Sequence, residues 1–120
     1  MVDFFWVFIG GGIGSIARYG VSTSLANWSA NFPVATLVAN ALACILLGFV
    51  TEWSLKEALV HEYRLFIMTG ICGGFSTFST FSSETLALFN DGHPLYAFLN
   101  IIGSVSLCIL CIYLGMRWAR

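Results

Sequence analysis

Four apolar runs, each long enough to cross a bilayer, dominate the sequence. A membrane-spanning helix needs about 20 mostly apolar residues. The runs cover residues 4–25, 33–51, 65–89 and 95–116, and Arg18 and Glu84 are the only charged residues inside them. Charged residues make up 9% of the chain, against about 25% in a soluble domain. That is too little polar surface to coat a water-soluble globule, so lipid is the expected solvent. One all-α domain of four transmembrane helices is predicted. A net charge of −1 offers nothing to nucleic acid or to an electrostatically held surface anchor.

The connections carry turn and interface signals. Asn27–Phe32 is a short polar turn, and Pro33 suits the first turn of the second helix, where its missing N–H is not needed. Glu52–Arg64 is the one strongly charged stretch, predicted as a loop or interfacial helix, with Trp53 and Tyr63 as belt aromatics. Asn90-Asp91-Gly92-His93-Pro94 is a compact turn. Four spans bring both termini to the side of the charged stretch. Lys56, Arg64, Arg117 and Arg120 also fall there, so the positive-inside rule alone would put both termini in the cytoplasm. The start lacks a basic n-region, so the first run is expected to stay in the mature protein.

Three motifs carry the chemistry. Gly10 and Gly14 form a GxxxG that favours close helix contact, and no Gly-Lys-Ser/Thr follows to make a phosphate loop. Arg18, inside the first span, needs water, a partner or backbone carbonyls. It either draws anions into a watery vestibule or snorkels to the interface. Asn40 in the second span is either an ion ligand or interhelical glue. The third motif is the most telling: Gly70-Ile71-Cys72-Gly73-Gly74-Phe75-Ser76-Thr77-Phe78-Ser79-Thr80-Phe81-Ser82-Ser83-Glu84. Adjacent glycines disfavour helix, and hydroxyls can satisfy backbone groups released by a break. A discontinuous third helix, broken near Gly73–Thr77, is predicted. Phe75, Phe78 and Phe81 recur every three residues, which on a helix puts their rings on roughly one face. Interleaved with Ser and Thr, they read as a pore wall, because ring edges are positive and can lie against a compact anion. Glu84 is either a proton-coupling group or an acceptor for Thr80 one turn earlier. Asn100, Ser104 and Cys108, four residues apart, are the candidate opposite wall.

Cys44, Cys72, Cys108 and Cys111 all lie in apolar runs. With no second Cys/His pair at ligand spacing, they read as small packing residues. His61 and His93 have no nucleophile or metal partner at a readable spacing, so an enzyme is not expected. A proton-coupled exporter of the small multidrug-resistance kind would need a carboxylate within the first helix, which has only Asp3 at its start.

Three of these segments, in order and across nearly the whole chain, resemble the CrcB/Fluc family of fluoride channels. They are Gly-Gly-x-x-Gly-x-x-x-Arg-Tyr near the start, Thr-Leu-Val-x-Asn in the second span, and Gly-Gly-Phe-Ser-Thr-Phe-Ser-Thr-Phe-Ser in the third. The resemblance implies an antiparallel homodimer of dual topology, at odds with the Lys/Arg bias. It also implies passive exit of cytoplasmic fluoride across the inner (plasma) membrane, giving fluoride resistance. A structural sodium ion at the dimer centre would be held by the backbone carbonyls of Gly73 and Ser76 from each subunit. Phe78 and Phe81 match the paired pore phenylalanines and Asn40 the second-span asparagine. Thr80 matches a polar-track hydroxyl, Glu84 the acidic position beyond it, and Arg18 the first-span arginine. Ser104 is carried over from the fourth span, where Asn100 and Cys108 depart from an expected tyrosine and serine. The alternative reading is a proton-coupled exporter of small molecules or of fluoride.

Overall fold

The computed structural model describes residues 1–120, and its regular structure is helical throughout. Helices α1 (Val2–Ser24), α2 (Val34–Lys56) and α6 (Pro94–Trp118) are continuous. The third span is built in pieces. Helix α3 (His61–Arg64) runs into a π-helical stretch (Leu65–Cys72) and α4 (Gly73–Phe75), and α5 (Phe78–Asn90) follows the break. With His61–Asn90 counted as one, four segments are long and apolar enough to cross a membrane. The chain is a multi-pass membrane protein.

Local chemistry sets the ends of these helices. The Ser29 hydroxyl donates to the Leu25 carbonyl and accepts from the Ala35 N–H, which ties the end of α1 to the start of α2. Pro94 opens α6 at a position that needs no N–H, and Gly92 closes the preceding turn at φ +80°, a conformation that suits glycine. The charged stretch is mostly helical rather than a loop. Helix α2 continues past Thr51 to Lys56, and only residues 57–60 connect it to α3. Trp53 donates to Glu57, Lys56 donates to the carbonyls of Ala119 and Arg120, and Arg120 pairs with Glu52. This end of the molecule is therefore laced by its own charges.

The break falls at Ser76–Thr77, later than the glycine pair. Gly73 and Gly74 are helical, whereas Ser76 (φ −78°, ψ 154°) and Thr77 (φ −149°, ψ 118°) are extended. The glycines serve close packing instead. A Cβ on Gly74 would collide with the Gly11 carbonyl, one on Gly10 with the Phe66 carbonyl, and one on Gly14 with the Ile71 carbonyl. A Cβ on Gly70 would stand 2.8 Å from the Gly10 Cα. Thus Gly10 and Gly14 on α1 mesh with Gly70 and Gly74 on the third span, backbone against backbone. A second crossing joins α2 to α6, where Gly48 meets the Ile112 carbonyl and Gly115 the Ile45 carbonyl. Lipid gives helices no hydrophobic reason to associate, so this close approach supplies the packing energy.

The break also divides the phenylalanine stripe. Phe75 ends α4 and Phe78 begins α5, so the three rings do not share one helix face. Only Phe78 and Phe81 remain together.

Gly48→Ala should wedge α2 from α6 and lower stability by about 1–3 kcal/mol, the usual cost of overpacking. Gly103 faces open space, and Gly103→Ala should be neutral or stabilising by up to about 1 kcal/mol. Thermal unfolding of the two variants in the same detergent checks this; equal midpoints would remove the crossing from the account.

Candidate functional site

An interrupted helix leaves backbone donors and acceptors without ladder partners. In a bilayer they must be met by other protein groups. At this break, side chains from three elements do so. Asn40 on α2 lies beside Thr77 and makes two bonds to its backbone. The Thr77 N–H donates to Asn40 Oδ1 at 2.8 Å, and Asn40 Nδ2 donates to the Thr77 carbonyl at 3.4 Å. The backbone N–H can only donate, so this pairing fixes which way the amide points. Arg18 Nε donates to the Gly74 carbonyl at 3.2 Å, at the C-terminal end of a half-helix, where a cation is favoured. Through this bond Arg18 caps the end of the half-helix at the break. The Ser76 hydroxyl donates to the Cys72 carbonyl at 2.8 Å, which the Ser76 N–H also reaches.

Thr77 then starts the next helix. Its Oγ1 accepts from the Thr80 N–H and donates to Thr80 Oγ1, both at 3.2 Å. A hydroxyl accepting from the third residue on is the usual N-cap device. The carbonyls of Cys72, Gly74 and Thr77 are occupied by these bonds. Those of Gly73 and Ser76 receive none of the side-chain or loop hydrogen bonds.

A cavity of about 310 Å³ opens beside the break. Asn40, Ser76, Thr77, Phe78, Phe81 and Ser104 line it, together with Cys44 on α2 and Cys108 and aliphatic side chains on α6. The Phe78 and Phe81 ring centroids are 5.7 Å apart and the planes are inclined by 40°. Phe78 is 79% exposed, a large aromatic left uncovered by its own chain. Asn40 Nδ2 carries two hydrogens, one of which goes to the Thr77 carbonyl.

Four of the residues named from sequence for the ion pathway (Asn40, Phe78, Phe81 and Ser104) meet in this cavity, with Ser76 beside them. Arg18, Gly73, Thr80 and Glu84 lie outside it. Glu84 lines a second cavity of about 300 Å³ with Ser22, Ser29, Asn31, Thr36 and Asp91. Its partner is Thr36, whose hydroxyl donates to Oε1 at 2.8 Å, rather than Thr80. Glu84 Oε2 is buried without a partner.

Asn100 stands behind the wall rather than in it. It is 1% exposed and is the middle of a buried chain of bonds. Ser104 donates to Asn100 Oδ1, Asn100 Nδ2 donates to Thr85, and Thr85 donates to the Phe81 carbonyl. This chain fixes α5 against α6 and so sets the position of Phe81. The sequence reading missed Thr85 and the Thr36–Glu84 pair, and Thr77 as the hub of the break. A hydroxyl three residues before Thr80 at a suspected helix start was the available signal for Thr77.

The chain as a whole has relatives among known proteins. The profile described as "CrcB-like protein, Camphor Resistance (CrcB)" matches residues 5–116. The chain belongs to the CrcB family. Similar proteins bear the name "Fluoride-specific ion channel FluC". One from Pyrococcus furiosus is 47% identical over 117 residues, 95% of this chain and 93% of that protein. One from Prosthecochloris aestuarii is 44% identical over 112 residues, covering 92% and 88% respectively. One from Paramagnetospirillum magneticum is 44% identical over 119 residues, covering 96% and 93%.

Asn40→Ala should strand the Thr77 N–H and carbonyl in an apolar setting. A loss of about 1–3 kcal/mol per unsatisfied group is expected. Unfolding of the purified variant measures it. Unchanged stability would mean that Asn40 does not hold the break together.

Proposed function

We propose that the protein is a fluoride-selective channel that lets cytoplasmic fluoride leave passively across the inner (plasma) membrane. One observation carries the reading: Phe78, Phe81 and the Asn40 amide share one cavity at the break. Ring edges present positive potential, and the amide N–H adds a directed donor. No lysine or arginine lines this cavity. Neutral donors bind a hard anion firmly enough to admit it and weakly enough to release it, as conduction requires. The family membership and the name borne by the relatives point the same way.

The functional unit in this reading is an antiparallel homodimer. The exposure of Phe78 supports it, since a ring that solvates an anion needs cover from lipid on its other side. Gly73 is also exposed, with open space where a Cβ would stand. An inverted copy would bring Gly73 and Ser76 carbonyls together about a two-fold axis. These unclaimed carbonyls suit a hard, oxygen-seeking cation such as sodium, which would supply charge to hold the two breaks together. The Ser76 hydroxyl is turned back to Cys72, so its main-chain oxygen is the group left to ligate. Arg18, Thr80 and Glu84, which lie outside the cavity, act in this scheme at the approaches to the ion pathway, Arg18 as a fixed positive charge.

A second reading, fluoride–proton antiport through Glu84, has one observation in its favour: a buried carboxylate oxygen without a partner. A pH gradient separates the two, since passive flux does not follow it.

Proteoliposomes should release fluoride and retain chloride; equal release of both would sink the channel reading. Phe78→Ile and Phe81→Ile keep apolar bulk but lose the ring quadrupole. Each should lower fluoride efflux per dimer by roughly fivefold, the effect of about 1 kcal/mol at the barrier. Normal efflux in both would leave the rings as packing only. Cysteine labelling at the C-terminus from each membrane side should find both orientations, and one-sided labelling in an active sample would refute dual topology.

A further inference from the structure

Three hydroxyl residues line the cavity beside the rings: Ser76, Thr77 and Ser104. A hydroxyl has one proton, so it can donate to an anion only if that proton is not committed elsewhere. Ser76 commits its proton to the Cys72 carbonyl and Thr77 to Thr80, both within their own span. Ser104 commits its proton to Asn100, which does not line the cavity.

The direction of this last bond is fixed from its far end. The Phe81 carbonyl can only accept, so Thr85 donates to it, at 2.7 Å. The Thr85 oxygen must then accept from Asn100, which turns Nδ2 towards it at 2.9 Å. Asn100 Oδ1 is left 3.1 Å from the Ser104 oxygen, and Ser104 has to donate. A flipped amide would set Oδ1 against a Thr85 oxygen whose proton is already committed. Thr85, Asn100 and Ser104 are all buried. We propose that Asn100 is a positioning residue for the ion pathway: it holds the Ser104 O–H out of the cavity, so that α6 offers a passing anion no hydroxyl donor. A further donor in the wall would deepen the well for a small anion, and conduction needs easy exit. Asn100 thus tunes the well without touching the ion. The relay rests on its own bonds; its effect on fluoride rests on the channel reading above.

Asn100→Leu keeps the branched shape of the side chain and removes the amide's donor and acceptor, which frees the Ser104 proton to enter the cavity. The half-saturating fluoride concentration for efflux from proteoliposomes should then fall about fivefold, the effect of one modest hydrogen bond. Ser104→Ala made on top of Asn100→Leu should raise it again. That rise should exceed the one caused by Ser104→Ala in the wild-type background by at least about threefold. If Asn100 serves packing alone, maximal efflux drops as Phe81 shifts, half-saturation does not fall, and Ser104→Ala reverses nothing; that pattern overturns the proposal. Equal rises in the two backgrounds overturn it as well, because Ser104 would then already donate to the ion in wild type. Unfolding midpoints in detergent read the relay without any flux. Ser104→Ala should lower the midpoint in wild type and lower it less in Asn100→Leu, where its partner is gone; equal drops overturn the relay. Asn100→Val takes the place of an Asn100→Leu that fails size-exclusion chromatography. Absent efflux from wild type would count against the channel reading, while the unfolding series still decides the relay.

Discussion

Within a bilayer, the two extended residues Ser76 and Thr77 expose backbone groups that water cannot satisfy, and the surrounding structure is arranged to meet that demand. Asn40 acts as a substitute strand for Thr77, making one bond in each direction. Arg18 takes the Gly74 carbonyl, and Thr77 caps the helix it precedes. These partners come from α1, α2 and the third span itself. None could reach the break unless those helices approached it closely. The meshed glycines of α1 and the third span bring the Arg18 backbone near enough for its Nε to reach the end of α4. Helix packing and backbone satisfaction are therefore one problem here, solved at the same place.

The glycine crossings also explain how the four spans are grouped. Helix α1 lies against the first half of the third span and α2 against α6. The break falls where these two pairs meet, which is why an α2 side chain can complete it. Past the break, α5 leaves α1 and packs on α6, held by the Ser104–Asn100–Thr85 chain. A buried polar network of this kind is worth having only when every member is satisfied. Here each bond hands on to the next, and the last acceptor is the Phe81 carbonyl. Phe81 is thus anchored through its own backbone.

Much of this was legible in the sequence, for physical reasons that differ by element. The four spans follow from apolar length with only Arg18 and Glu84 charged, a one-dimensional property. The break follows from glycines and hydroxyls concentrated in one run. Its place within Gly73–Thr77 follows as well, but not which residues leave the helix, because Gly-Gly lowers the cost of a break and of a close crossing alike, and Gly74 serves the crossing while Ser76 and Thr77 make the break. The Phe75-Phe78-Phe81 spacing misled for the same reason: helical periodicity applies only within an unbroken helix. Gly48 and Gly115 carry no motif, and their pairing exists only once α2 and α6 are side by side. The local four-residue rule offers Thr80 as one possible donor to Glu84, whereas the donor in the structure, Thr36, is 48 residues away. Local rules see partners on the same helix; a carboxylate inside a bundle is satisfied by whichever helix faces it.

The distribution of charge around the cavity bears on selectivity. Arg18 is the one cationic side chain near the break, yet it does not line the cavity; its Nε is engaged with the Gly74 carbonyl. The groups that do face the cavity are uncharged: the Asn40 amide, hydroxyls, two aromatic rings, two thiols and the aliphatic side chains of Val105, Ile109 and Ile112. A guanidinium at the wall would hold a small hard anion in a deep well, because its interaction grows as the inverse of distance in a medium of low dielectric. In the proposed channel, the same charge, set back and partly compensated by a carbonyl, would raise the potential over the approach without creating a trap. The neutral donors would then set the local affinity through short-range contacts that favour a compact ion over a larger one. Asn40 links the two functions: the N–H that would meet the ion belongs to the same amide that holds the break closed, so the geometry of the donor is fixed by the backbone it supports.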